Sequence, residues 1–101
     1  MQMPNKMYVL VRKDMEPAYS AVQAGHALAE YLIQYPSSGW KNETLVYLGI
    51  NNEYELKKWK RKLEELDIDH VCFHEPDIND ELTAIAVNGH QKVFKRLNLL
   101  K

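Results

Sequence analysis

Apolar residues fall into short runs along the chain, and the spacing inside each run predicts its structure. MYVLVR, residues 7–12, is an unbroken run rich in Val and Leu, which suits a strand covered on both faces. Lys13 to Glu16 break it. Pro17 fits the first turn of a helix, where its missing N–H costs nothing, and the pattern predicts a helix from 17 to about 35. The apolar members Ala18, Ala21, Val22, Gly25, Leu28, Ala29 and Leu32 recur at three- and four-residue steps and so mark its packing side. At about 100° per residue, Tyr19, Gln23, His26 and Glu30 share an arc of roughly 60°, which reads either as a solvated side or as part of a site. Pro36-Ser37-Ser38-Gly39 closes the helix with a loop.

ETLVYLGI, residues 43–50, reads as a second strand. Asn51, Asn52 and Glu53 supply a turn and an N-cap for a helix from about 53 to 66, with Leu56, Trp59, Leu63 and Leu66 as its buried stripe. A third strand is expected at 69–74, a carboxylate-rich loop EPDINDE at 75–81, and a fourth strand at 82–89 ending on Gly89. A last helix over 90–96 and the tail LNLLK complete the chain. Strands separated by helices require crossovers and hence some parallel pairing. The fold class is therefore α/β: a three-layer α/β/α arrangement of order β-α-β-α-β-β-α, with helices on both faces of a four-stranded mixed sheet. The long loop between the third and fourth strands leaves their relative direction open.

Composition narrows the function classes. The length of 101 residues suits one domain, spanning 1–101. Cys72 is the single cysteine, so no intrachain disulfide forms and a reducing compartment is the simpler reading. No apolar run approaches the roughly 18 to 20 residues of a membrane span, and the N-terminus has no apolar leader core, so a soluble cytoplasmic protein is expected. A net charge of -1 disfavours nonspecific coating of nucleic acid. Cations nevertheless cluster in KKWKRK, residues 57–62, and at Lys92, Lys95, Arg96 and Lys101. Trp59 belongs to the leucine stripe, which leaves the cations of KKWKRK as an ordinary exposed face, one able to touch nucleic-acid phosphates.

Two clusters resemble metal sites and fall short of one. His70, Cys72 and His74 alternate along one strand and so face one side of the sheet, but three ligands from one short strand leave a zinc tetrahedron hard to close. Glu75, Asp77, Asp80 and Glu81 offer hard oxygens without the D-x-D-x-D-G spacing and distal Glu of a calcium loop. No metal and no cofactor are expected.

Taken in order, KMYVLVRKDM, AVQAGHALAEY, Trp40 before ETLVYLGI, and LTAIAVNG followed by a short helix and LNLLK resemble the type 2 peptidyl-tRNA hydrolase family over roughly residues 6–101. The Q-x-x-H-A element at Gln23, His26 and Ala27 is the most specific match. The resemblance implies hydrolysis, without a metal, of the ester joining a peptide to the 3' ribose of tRNA. It also implies site residues: Gln23 and His26 fit the helix motif, Glu75 takes the place of an aspartate with Asp77 nearby, and Thr83 fits a threonine opening the fourth strand. Two features depart from the pattern. Tyr19 stands where the family has a lysine, and the loop before the fourth strand is shorter, without the family's arginine and first threonine.

Ester hydrolysis needs a base to activate water and a donor to stabilise the oxyanion. Glu75 or Asp77 would be the base, Gln23 and Thr83 would donate or position, and His26 would support the helix end of the site. Losing one good oxyanion donor costs on the order of 3 kcal/mol, about 100- to 1000-fold in rate, so Arg12, Lys13 or another lysine would have to replace the missing one. A Lys or Arg reaching the space between Gln23 and Glu75 favours catalysis, and its absence favours a catalytically degenerate module that binds tRNA or a protein. A third reading, an enzyme for some other ester or amide, requires a cleft too small for a tRNA end. The expected partner is tRNA or peptidyl-tRNA, with no membrane and with a homodimer left open.

Overall fold

The structure is a computed structural model that describes residues 5–101. Residues 1–4, included in the single domain expected from the sequence, lie outside the described residues. The strands are β1 (Lys6–Arg12), β2 (Thr44–Ile50), β3 (Val71–Glu75) and β4 (Glu81–Asn88), and the helices are α1 (Pro17–Gln34) and α2 (Glu53–Glu65). Short 3-10 turns occupy Pro76–Ile78 and Gln91–Phe94. The sheet order is β2-β1-β4-β3; β1 runs parallel to β2, and β4 runs antiparallel to β1 and β3. The direction left open by the sequence is thus antiparallel. Asn79 and Asp80, both in the left-handed region (φ 60 and 57), turn the chain back between β3 and β4.

Alternation along β1 and β4 sends side chains to two cores. Met7, Val9, Val11, Ala84 and Ala86 meet Ala24, Ala27 and Tyr31 of α1. Tyr8, Leu10, Ile85 and Val87 meet Leu56 and Leu63 of α2, with Trp59 and Phe94 packed beside them. These are the three layers expected.

The packing side of α1 departs from expectation. Its buried residues are Ser20, Gln23, Ala24, Ala27 and Tyr31, whereas Ala18, Ala21, Val22, Ala29 and Leu32 are exposed, Val22 by 53%. Gly25 and Leu28 are only half-buried. Alanines on both α1 and β4 let the helix lie close to the sheet, and the polar groups carried in with them are satisfied. Ser20 Oγ donates to Arg12 O at 2.8 Å, and Gln23 bonds at both ends. A buried polar group with its partners in place costs little, so counting apolar residues selects the wrong side.

Leu66 is 50% exposed because α2 stops at Glu65, and Ile68 fills the core beyond it. The helix expected over 90–96 is a 3-10 turn of four residues, Gln91–Phe94, entered through positive φ at Gly89 and His90 and followed by a tight turn in which Leu97 N–H donates to Phe94 O at 2.9 Å. The tail lies along the edge of β2, where Gly49 N–H donates to Asn98 O at 3.0 Å and Leu100 N–H donates to Tyr47 O at 2.9 Å. Among the described residues no helix is long and apolar enough to cross a membrane.

Candidate active site

The site forms beyond the carboxyl end of β1, where α1 begins. Glu16 caps that helix, its carboxylate accepting from the Ala18 and Tyr19 N–H groups at 3.4 and 3.3 Å. Capping fixes the first turn, and Gln23 follows one turn after Tyr19, pointing into the sheet. Gln23 is fully buried.

A β-bulge supplies its partner. Phe73 pairs with Ala84 and His74 with Leu82, so Thr83 is an extra residue on β4. Leu82 belongs to the α2 core and Ala84 to the α1 core. The bulge re-aims Thr83 so that its hydroxyl joins the α1 side, where it donates to Gln23 Oε1 at 2.8 Å. Gln23 Nε2 in turn donates to Glu75 Oε1 at 3.0 Å. Residues from β4, α1 and β3 therefore form one chain of hydrogen bonds ending on a carboxylate. These two bonds also fix the orientation of the Gln23 amide.

Glu75 is the outermost member of that chain. Its second oxygen accepts from Asp77 N–H at 3.4 Å. Gln23's hydrogen bond foremost, then the Asp77 N–H, the charge of His26 and the Tyr19 hydroxyl outweigh desolvation and hold the Glu75 carboxyl below its ordinary value. Desolvation, then the negative charges of Glu75 and Asp77 and a hydrogen bond to Glu75, push the Tyr19 hydroxyl up. Tyr19 keeps its proton and is a donor at neutral pH. His26 is exposed and stacks on Phe73, with centroids 4.6 Å apart and planes 12° from parallel.

Gln23, Glu75 and Thr83 thus come together, with Tyr19, His26 and Asp77 around them at an open rim. Asp77 is exposed; it hydrogen-bonds the network through its backbone N–H, and its carboxylate acts on Tyr19 by charge. Glu30, one turn beyond His26, is exposed and takes no part. The solvated reading of the polar stripe fails for Gln23 and holds for Glu30.

The candidate replacement cations are engaged elsewhere. Arg12 grips both oxygens of Asp14 at 3.0 and 3.1 Å and Glu81 at 2.7 Å, and Asp14's hydrogen bond is the main cause that raises its pKa. Lys13 lies towards Gly49 and the tail. Among the described residues, no Lys or Arg hydrogen-bonds or ion-pairs with Gln23 or Glu75; His26 is the cation-forming side chain whose charge acts on Glu75.

Phe73 was missed in the sequence, though the signal was there: the alternation that groups Cys72 with His74 also groups Phe73 with Glu75 on the other face. His70 lies outside β3, its Nδ1 2.8 Å from Ile68 O. Burial pushes the Cys72 thiol up to about 11, which makes it a poor metal ligand or nucleophile at neutral pH. A cleft of about 570 Å³ at the far end of α1, lined by Tyr31, Tyr35, Asp67, Asp69 and His90 among others, includes none of the site residues.

The family model for peptidyl-tRNA hydrolase PTH2 matches residues 5–99. A solved structure of a protein of unknown function from Agrobacterium tumefaciens strain C58 superposes with a TM-score of 0.71, covering 97% of this chain and 98% of that one at 13% identity. At that identity the likeness concerns the fold alone. No curated protein matches the chain.

Proposed function

The chain belongs to the type 2 peptidyl-tRNA hydrolase family, and from that membership we propose that it hydrolyses the ester between a peptide and the 3' ribose of tRNA, with Glu75 as the base. The observation that carries this reading is the buried chain Thr83–Gln23–Glu75, assembled from three elements and ending on a carboxylate at an open rim. A water held by Glu75 loses a proton to it as the water oxygen bonds to the ester carbonyl carbon. The tetrahedral intermediate then expels the ribose 3' oxygen, which takes that proton. Gln23 and Thr83 are positioning residues, since both are fully buried and their bonds orient Glu75. Tyr19, whose single hydroxyl proton lies on Glu75 in the resting site, turns that proton to the developing oxyanion, and His26 lies beside Glu75.

The same features predict slow chemistry. A base with a depressed pKa accepts a proton less readily, and a neutral phenol replaces a cation. The expected rate is about 100- to 1000-fold below that of a site with a full complement of oxyanion donors. A second reading, a module that binds tRNA or a protein without turnover, is favoured by the absence of any Lys or Arg at Glu75 among the described residues. Peptide release from peptidyl-tRNA separates the two. Release faster than that of a Glu75→Gln variant supports hydrolysis; equal rates, with tRNA binding retained, establish the binding module. The third reading, another ester or amide in a closed cleft, draws no support from a rim where His26 and Asp77 are exposed.

A further inference from the structure

On the opposite face of β3 from Glu75, a groove of about 370 Å³ is lined by Lys57, Lys60, Arg61, Glu64, His74 and Leu82. Positions 57, 60 and 61 share one side of α2 by helical spacing, while Leu56 and Leu63 bury the other. Lys57 pairs with Glu53 at 3.5 Å and Lys60 with Glu64 at 3.0 Å. The Lys60–Glu64 pair is exposed, worth little in water and readily exchanged for another anion, while Glu53 is partly shielded and also accepts from Leu82 N–H at 2.9 Å, with Lys57 left 58% exposed to reach outward. Among the described residues Arg61 has no carboxylate within ion-pair distance. No phenyl, phenol or indole ring lines the groove, so it offers charge without the stacking platform that single-stranded bases use.

Its position joins it to the site. His74 and Glu75 are neighbours on β3 but face opposite sides of the sheet, and Leu82 and Thr83 are divided in the same way. Among the described residues β3 is an edge strand paired only with β4, and no further strand blocks the path round it. Resting on the peptidyl-tRNA reading above, we infer that this groove binds backbone phosphates of the tRNA acceptor end, which then passes round the β3 edge to bring its terminal ester to Glu75. Contacts of charge alone hold phosphates without reading bases.

The test is binding of deacylated tRNA, free of any ester, over a range of salt. A Lys57→Gln, Lys60→Gln, Arg61→Gln variant removes three charges with good helix formers. Its log–log salt slope is expected to fall by about 2 to 3 relative to the parent, since each lost phosphate contact removes about one. A control variant, Lys92→Gln, Lys95→Gln, Arg96→Gln, makes the same change in net charge on another exposed surface and is expected to keep the parent slope. An unchanged slope in the groove variant, or an equal fall in both variants, overturns the inference. If circular dichroism shows the triple variant misfolded, Arg61→Gln alone is expected to lower the slope by about one. The readout is independent of turnover, so a protein that fails to hydrolyse still tests the groove. If it does hydrolyse, the groove variant should lose activity on peptidyl-tRNA through KM and keep the parent rate on an N-acylaminoacyl-adenosine, which has no phosphates.

Discussion

Thr83 shows how much a single hydroxyl can organise. Its proton satisfies Gln23 Oε1 at 2.8 Å inside a site with no solvent access to either side chain. Replacing threonine by valine keeps the shape and removes the donor, leaving a buried amide oxygen without that partner. The expected cost is about 1 to 3 kcal/mol, read as a lower urea midpoint at unchanged slope, whereas Thr83→Ser, which retains the hydroxyl, should cost less. A Thr83→Val protein as stable as its parent would mean that the chain of bonds does not hold the site together. The same substitution should reduce turnover beyond its effect on folding, because Gln23 would lose one of the two bonds that fix its amide and Glu75 would lose a fixed donor.

At the scale of elements, α1 provides the sharpest test, because its apolar side faces out and its small side faces in. Ala24→Leu or Ala27→Leu would force a larger side chain between helix and sheet and should destabilise by about 1 to 3 kcal/mol. Val22→Lys or Ile33→Lys, at positions 53% and 72% exposed, should stay within about 0.5 kcal/mol; thermal denaturation of the four variants decides, and the reverse ranking would put the outward side in the core. Runs such as MYVLVR and LTAIAVNG revealed strands because both of their faces are covered, and Leu56 and Leu63 revealed the buried side of α2 because leucine dominates there. The buried side of α1 was hidden because Ser20 and Gln23 are buried through partners distant in sequence, Arg12, Glu75 and Thr83. The bulge at Thr83 was hidden for a related reason: it is a property of how β4 pairs with β3, and no glycine or proline at that position announces it. The resemblance singled out Gln23, Glu75 and Thr83, which the structure brings together, but not the hydrogen bonds that connect them.

For the molecule as a whole, the site lies where β1 and β3 end, β4 begins and α1 starts, so the charge on one carboxylate bears on how the layers hold together. Glu75 joins β3 to α1 through Gln23, and its pKa is lowered in the folded chain, foremost by that bond. Between the lowered folded value and the ordinary unfolded one, the unfolded chain binds more protons, so stability rises with pH across that interval. The contribution is fully present above the ordinary glutamate range and is lost as pH falls through the folded value. Glu75→Gln removes this titration while keeping the shape of the side chain, although an amide can turn its NH2 towards Gln23 and weaken the bond at every pH. The parent should therefore lose stability more steeply than the variant as pH falls from neutrality through the carboxylate range, and the gap between their urea midpoints should be widest near pH 7 and narrow towards acid. Parallel curves for the two proteins would show that the folded site does not favour the charged carboxylate, and with it would go the claim that Glu75 stands ionised and ready to take a proton from water.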